Sequence, residues 1–138
     1  MFIIIIQQLR PPPNTISPLF QKAKSLYILW CEYYKIIPKT HRYTLGQKID
    51  NLLIEIIEKI AIANFLKAEE KIPYVQFIVR KIDLLKIFLM ILWETNSLEE
   101  KHYILISEKT NEVGRMSGGW LGKILSKQNS PTKSEGEK

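Results

Sequence analysis

Few residues of this chain have the types and spacing that catalysis or metal binding requires. The two histidines, His41 and His102, lie in different segments, and neither has a second histidine or cysteine at the spacing of metal ligands. The one cysteine, Cys31, lies inside an apolar helical pattern, which favours a small buried residue over a nucleophile. Asp50 and Asp83 are the two aspartates, and they do not form an Asp-x-Asp pair. The sequence therefore predicts no enzyme, no metal site and no cofactor.

A glycine-rich segment near the C-terminus resembles a phosphate-binding loop only superficially. Its first glycine, Gly118, is one residue too close to Gly122-Lys123, and Ile124 stands where such a loop needs a serine or threonine for magnesium. The spacing therefore excludes a phosphate-binding loop of this type.

The same segment can also be interpreted as a surface for helix packing. Gly114, Gly118 and Gly122 recur every four residues, a spacing that lets another helix approach closely. Met116 and Trp120, also four apart, form an apolar patch beside them. We predict that these residues pack at an interface between helices or subunits.

Composition limits the class of protein. Apolar residues make up 46% of the 138, enough for a hydrophobic core, and the net charge of +6 suits an anionic partner. A single cysteine fits a reducing compartment, and the N-terminus lacks the basic segment of a signal peptide, so we expect a cytoplasmic protein. The longest apolar run, Ile87–Trp93, has seven residues, whereas a membrane span needs about 20. We therefore expect no membrane association. Since the sequence has no catalytic motif, we also expect no small-molecule substrate.

Apolar residues recur at spacings of three and four along most of the chain, which predicts an all-α, antiparallel up-down four-helix bundle over residues 16–125. The predicted inward positions are Leu19, Ala23, Leu26, Trp30, Tyr33 and Ile37, then Leu45, Ile49, Leu52, Ile56, Ile60 and Ala63, then Val75, Val79, Ile82, Leu85, Leu89 and Leu92, and finally Leu105, Ile106, Val113, Met116, Trp120 and Ile124. Residues 1–15 are predicted to be an extension, either a loosely docked arm or a strand that pairs with a partner, and residues 126–138 a disordered polar tail.

Helix starts are predicted from capping residues. Ser17-Pro18 combines a favoured N-cap with a favoured first helical residue. Thr44–Gln47 and Ser97–Glu100 both have the capping-box spacing and are predicted to begin the second and fourth helices. The third helix is predicted to open around Pro73, after a charged turn at residues 67–71.

The third helix is too apolar for an outer helix of a small bundle. Every residue from Ile87 to Trp93 is apolar, including Phe88, so the segment needs cover on all sides. The sequence therefore predicts a subunit interface that includes Phe88 and Trp93.

Positive charge is concentrated in two parts of the chain. Residues 16–46 carry a net charge of +4 and residues 71–96 a net charge of +2, whereas the rest of the bundle is neutral or acidic. These lysines and arginines could be ordinary solvated side chains or a basic face for a phosphate backbone. In a symmetric oligomer the surplus repeats with each subunit, which favours the second interpretation. His41, in the basic loop after the first helix, could also contact phosphate.

Two motifs carry a family resemblance. The first is Ile37-Pro38-Lys39-x-His41-Arg42-Tyr43-Thr44-Leu45-Gly46-Gln47-Lys48-Ile49, and the second is Glu112-Val113-Gly114-Arg115-Met116-x-Gly118-Gly119-Trp120-Leu121. Together they resemble the Avd proteins (accessory variability determinants) of diversity-generating retroelements, and similar motifs occur in four-helix-bundle proteins encoded in ribosomal-RNA intervening sequences. The resemblance extends from about Ile16 to Leu125, and the second motif favours Avd.

The resemblance implies a non-catalytic accessory protein. Avd-like proteins are basic four-helix bundles that form barrel-shaped homopentamers, bind the reverse transcriptase and its template RNA, and support mutagenic copying into cDNA. By this similarity the residues expected to contact nucleic acid or polymerase are Arg80, Lys81 and Arg115, followed by Lys35, Lys39 and Arg42. The residues expected to serve helix packing or oligomer formation are Gly114, Met116, Gly118, Trp120, Phe88 and Trp93.

Two other functions stay open at this point. One is a structural or interaction bundle of the intervening-sequence type without a retroelement role. The other is an enzyme whose site is assembled between subunits, which a single sequence cannot reveal.

Overall fold

The computed structural model describes residues 17–128, which form four long helices and contain no strand. Helix α1 spans Pro18–Tyr34, α2 spans Gln47–Ala63, α3 spans Ala68–Glu94 and α4 spans Glu100–Gln128. A helical turn, Lys39–His41, and a π-helical turn, Arg42–Gly46, join α1 to α2. The predicted extension, residues 1–15, lies outside the described residues, as do residues 129–138 of the predicted tail. Helix α4 continues through Gln128, three residues beyond the predicted end of the bundle.

Contacts between neighbouring helices show that each runs antiparallel to the next. Ser17 at the start of α1 contacts Asn64 at the end of α2, and Trp93 at the end of α3 stacks on Tyr103 near the start of α4. The first and last helices are also antiparallel, since Tyr33 near the end of α1 stacks on His102 near the start of α4. The four-helix bundle predicted from the apolar periodicity is therefore the observed architecture.

The predicted inward stripes form most of the core. All six positions of the first stripe are buried. The predicted positions of the second and third stripes are also buried, except Leu45 and Val79, which are half-buried. Leu105 is an exception, since its side chain is 44% exposed. Ile78 is fully buried although it was not among the predicted positions of the third helix.

Three of the predicted helix starts differ from the observed ones. Thr44 lies inside the π-helical turn, where its hydroxyl donates to the carbonyl of His41 instead of capping α2. Ser97 does not form the predicted capping box either, because it is buried and its hydroxyl is 2.6 Å from Nδ1 of His41. A hydrogen bond within the α1–α2 connection thus replaces the predicted cap at Thr44, and a tertiary hydrogen bond replaces the one at Ser97.

The third helix begins at Ala68, five residues before the predicted opening at Pro73. The backbone N–H of Lys67 donates to the side chain of Glu70 at 3.2 Å, which caps the new start. Pro73 is the sixth residue of α3 and lies inside the helix, where it lacks the N–H that would donate to the carbonyl of Glu69. The charged segment predicted as a turn is therefore the first turn of α3.

The carboxylate of Asp50, in the first turn of α2, connects this helix to the C-terminal half of α1. Its Oδ1 accepts hydrogen bonds from the hydroxyl of Tyr27 at 3.0 Å and from the indole N–H of Trp30 at 3.2 Å. Trp30 is fully buried, so its N–H has no access to water. Asp50 is thus a structural residue, and the position of α2 along α1 depends on it.

We predict that Asp50→Ala lowers the free energy of unfolding by about 1–3 kcal/mol, because the N–H of Trp30 loses its acceptor inside the core. Asp83→Ala is the matched control, since Asp83 is exposed and its oxygen lies 4.0 Å from Lys86 Nζ; we expect a change below about 0.5 kcal/mol. Urea denaturation monitored by circular dichroism measures both. Equal losses for the two variants would contradict the structural role of Asp50.

The hydroxyl of Tyr27 gives the fold a pH dependence at alkaline pH. Burial first, and the hydrogen bond to Asp50 second, raise the pKa of Tyr27 well above its ordinary value of 10.0. Because the folded pKa is higher than the unfolded one, the contribution to stability is complete below about pH 10 and is lost as the pH rises further.

We predict that Tyr27→Phe weakens the decline of unfolding free energy above pH 10. Tyr43→Phe, at an exposed position, is the control and should keep the parent's decline.

Candidate nucleic-acid interface

Arg80 lies on the outer side of α3. The core side of this helix carries Ile78 and Ile82, and Arg80 between them points to solvent. Its guanidinium group has no ion-pair partner within residues 17–128. A fully available, planar guanidinium group is well suited to bidentate contact with a phosphate or a carboxylate.

Arg115 occupies a comparable position on α4. Val113 and Ser117, on either side of it, are buried, whereas Arg115 is exposed. The described part of the chain provides no carboxylate partner for it. The preceding residue, Gly114, packs against α3, since a Cβ there would lie 3.4 Å from Ile82 and 3.6 Å from Nζ of Lys86.

This packing places the two arginines at similar heights on adjacent helices. Gly114 is level with Ile82 and Lys86, so Arg115 lies within about two helical turns of Arg80 along the bundle. Each of these guanidinium groups lacks an ion-pair partner among residues 17–128 and can therefore bind an external anion at this height of the bundle.

Residues 19–124 match a family model described as bAvd-like, which covers well over half of the chain. The chain belongs to the Avd family. No curated protein and no solved structure matches it. Membership of the Avd family suggests an accessory role in diversity-generating retroelements, and proteins of this family are generally non-catalytic.

Lys81, predicted to act with Arg80, points to a different side of this Avd protein. Its Nζ lies 4.0 Å from Glu55 of α2 and 5.1 Å from the centre of the Phe77 ring. Lys59 of α2 approaches the same ring at 5.1 Å. Lys81 therefore contributes to packing between α2 and α3, and it is less available than Arg80 for a partner.

The other three predicted contact residues lie at the end of the bundle where α1 ends and α2 begins, whereas the contact of Gly114 with Ile82 lies midway along α3 and α4. Arg42 caps the end of α1, because its Nε donates to the carbonyl of Ile37 at 3.1 Å and its Nη2 to that of Lys35 at 3.4 Å. The side chain of Lys35 is 69% exposed and lies 3.5 Å from Glu32, and Lys39 is exposed. The structure thus separates these residues from Arg80 and Arg115, and Arg42 has a structural role that its sequence position did not reveal.

The histidines and the cysteine of the Avd chain have structural surroundings. His41 pairs with Ser97, and His102 stacks on Tyr33 with ring centres 4.3 Å apart. Cys31 is half-buried on α1. Within residues 17–128, no group of three or more His, Cys, Asp or Glu side chains could hold a metal ion, and no helix is long and apolar enough to cross a membrane.

The residues predicted for packing have mixed positions. Phe88, Met116 and Trp120 are half-buried against the core, and Trp93 stacks on Tyr103 with ring centres 4.7 Å apart. Gly114 approaches α3 closely, as a packing glycine should. Gly118 is exposed, and a Cβ there would meet nothing within 4 Å. Gly118 therefore has no packing role inside one chain, and its predicted role at an oligomer interface stays a prediction.

The exposed glycines of α4 are open to a direct stability measurement. Each glycine in a helix interior costs about 1 kcal/mol relative to alanine, and the space around Gly118 is open. We predict that Gly118→Ala raises the free energy of unfolding of the isolated chain by about 0.5–1 kcal/mol. Gly114→Ala should raise the free energy of unfolding less than Gly118→Ala does, or lower it, because the new Cβ would lie 3.4 Å from Cγ2 of Ile82. Thermal denaturation of both variants tests this; destabilisation by Gly118→Ala would show that another surface covers it.

Proposed function

We propose that this Avd protein is a non-catalytic accessory subunit of a diversity-generating retroelement that binds the reverse transcriptase and its template RNA. The observation that carries this proposal is the family match over residues 19–124. The positions of Arg80 and Arg115 support it, since both are exposed, unpaired within the described chain, and close in height on adjacent helices. We propose that this pair contacts the phosphate backbone of the RNA.

We also propose that the subunits assemble, with a homopentamer as the expected form. Large apolar side chains on the outside of α3 and α4 support an assembly: Ile87 is 49% exposed, Met90 38%, Ile104 51% and Leu105 44%. Burying such side chains between subunits would remove their apolar surface from water. In an assembly, each subunit would also contribute its own pair of arginines to one particle.

The RNA-binding proposal predicts a change in the salt dependence of binding. Each phosphate contact by a cation contributes roughly 0.7–0.9 to the slope of log K against log salt concentration. We expect Arg80→Gln with Arg115→Gln to reduce that slope by about 1–2 and to weaken binding of a structured template RNA. Electrophoretic mobility shifts at several salt concentrations measure both quantities.

Two controls make this experiment specific. Lys24→Gln with Lys101→Gln removes two exposed charges from other parts of the surface and should leave most of the binding intact. Arg80→Lys with Arg115→Lys keeps the charge and should retain more binding than the glutamine variant. An unchanged salt slope in the glutamine variant, with its oligomeric state preserved, would overturn the assignment of these arginines to RNA.

A further inference from the structure

A groove with a volume of about 510 Å³ lies at the end of the bundle where α1 begins and α2 ends. Its size is within the range of about 300–1,000 Å³ that is typical of small-ligand sites. The residues that matter for its chemistry are Ser17, Asn64, Lys71, Met116, Trp120 and Lys123. They come from all four helices or their ends, so the groove exists only in the folded bundle.

Cross-helix contacts hold the walls of this groove in place. The hydroxyl of Ser17 accepts hydrogen bonds from the backbone N–H of Phe20 at 3.1 Å and from the side chain of Asn64 at 3.2 Å, which joins α1 to the end of α2. On the other side, Lys71 of α3 lies over the indole of Trp120 of α4, 5.5 Å from its centre. The groove is therefore preformed, and a ligand would not have to order it.

The lining combines an aromatic platform with positive charge. Trp120 and Met116 are half-buried and supply apolar surface, while Lys71 and Lys123 supply two ammonium groups. Among residues 17–128, no carboxylate lines the groove and neither lysine has an ion-pair partner. The N-terminus of α1, a helix of 17 residues, adds the partial positive charge of its dipole. This combination suits a ligand that has both a flat apolar ring and a negative charge.

Gly119 keeps the groove open. It lines the groove next to Trp120, and a Cβ at this position would meet nothing within 4 Å. Gly122 is also exposed and without neighbours within 4 Å, but it does not line the groove. The two glycines therefore form a matched pair for testing whether the groove is occupied.

We propose that the groove binds one nucleotide unit of an unpaired RNA strand, with its base against Trp120 and its phosphate between Lys71 and Lys123. Bases of an unpaired strand are free to stack on aromatic side chains, whereas those of a duplex are not. The site rests on the RNA-binding function proposed above and adds a contact for single-stranded RNA to the one made by Arg80 and Arg115. The ammonium group of Lys71 lies over the indole, 5.5 Å from its centre, so a base that stacks on this face displaces it from the ring toward the phosphate.

Tryptophan fluorescence with a short oligouridylate tests the proposal. Trp30 is fully buried and Trp93 stacks on Tyr103, so quenching by the base should come from Trp120. We expect saturable quenching in the parent and in Trp93→Phe. In Trp120→Phe the quenching should disappear, while the affinity for a labelled oligouridylate, measured by anisotropy, should stay within a few fold.

The matched glycine variants measure whether the groove itself is needed. Gly119→Leu should fill the groove and lower the affinity for oligouridylate roughly tenfold, which is the scale of one lost base stack. Gly122→Leu adds the same side chain one turn away and should bind as the parent does. Circular dichroism and solution mass confirm that both variants fold and assemble alike.

Three results would overturn the proposal. The first is an equal affinity of Gly119→Leu and Gly122→Leu for oligouridylate. The second is quenching by inorganic polyphosphate, which has no bases, as strong as that by oligouridylate. The third is equally strong quenching by polyglutamate, which would indicate a carboxylate site. Loss of oligouridylate binding in the Arg80/Arg115 glutamine variant but not in Gly119→Leu would refute the groove alone. Failure of the parent to bind any RNA would instead refute the proposed function.

Discussion

The bundle depends on one buried constraint, the need of the Trp30 indole N–H for an acceptor. Trp30 lies at the centre of the core, and the carboxylate of Asp50 is the acceptor that α2 supplies. A second donor, the hydroxyl of Tyr27, binds the same oxygen, so α2 can shift along α1 only by breaking both bonds. The hydrophobic effect is non-directional, whereas these two hydrogen bonds require one relative position of α1 and α2 and add to the interdigitation of their side chains. The hydrogen bonds therefore set the register on which the positions of α3 and α4 are built.

With the register fixed, charged side chains divide into two classes. Lys22 pairs with Glu112 at 3.1 Å and Lys81 approaches Glu55 at 4.0 Å, so these lysines join neighbouring helices and have part of their charge neutralised. Arg80 and Arg115 face outward from α3 and α4 and have no such partner in the described chain. Exposed ion pairs such as Lys22–Glu112 contribute little to stability. The unpaired arginines, in contrast, leave a positive field that only an external anion can neutralise, which is why position matters more here than the total charge of +6.

Periodicity predicted the four helices and nearly all core positions, because burial at spacings of three and four is a local property of the sequence. The caps at Thr44 and Ser97 were predicted wrongly, because other groups take their hydroxyls: the nearby carbonyl of His41 accepts from Thr44, and the ring of His41, 56 residues away in sequence, pairs with Ser97. The candidate arginines were found from charge and a family motif. The role of Arg42 as a cap for α1 depends on the path of the α1–α2 connection, and the approach of Lys71 to Trp120 depends on the tertiary arrangement; neither has a periodic signal.

The two ends of the bundle differ in what they do with their polar groups, and this difference bears on the glycines of α4. At one end, the side chains of His41, Ser97 and Arg42 bind groups of the same chain. At the other end, Lys71 and Lys123 lack carboxylate partners in the described chain and border an open groove. Gly118, Gly119 and Gly122 lie at this second end and make no close contact, although each costs about 1 kcal/mol in a helix. Since packing among residues 17–128 does not require them, we expect the reason for glycine to lie in what approaches this surface: another subunit, as predicted for Gly118 and Gly122, or a ligand in the groove beside Gly119.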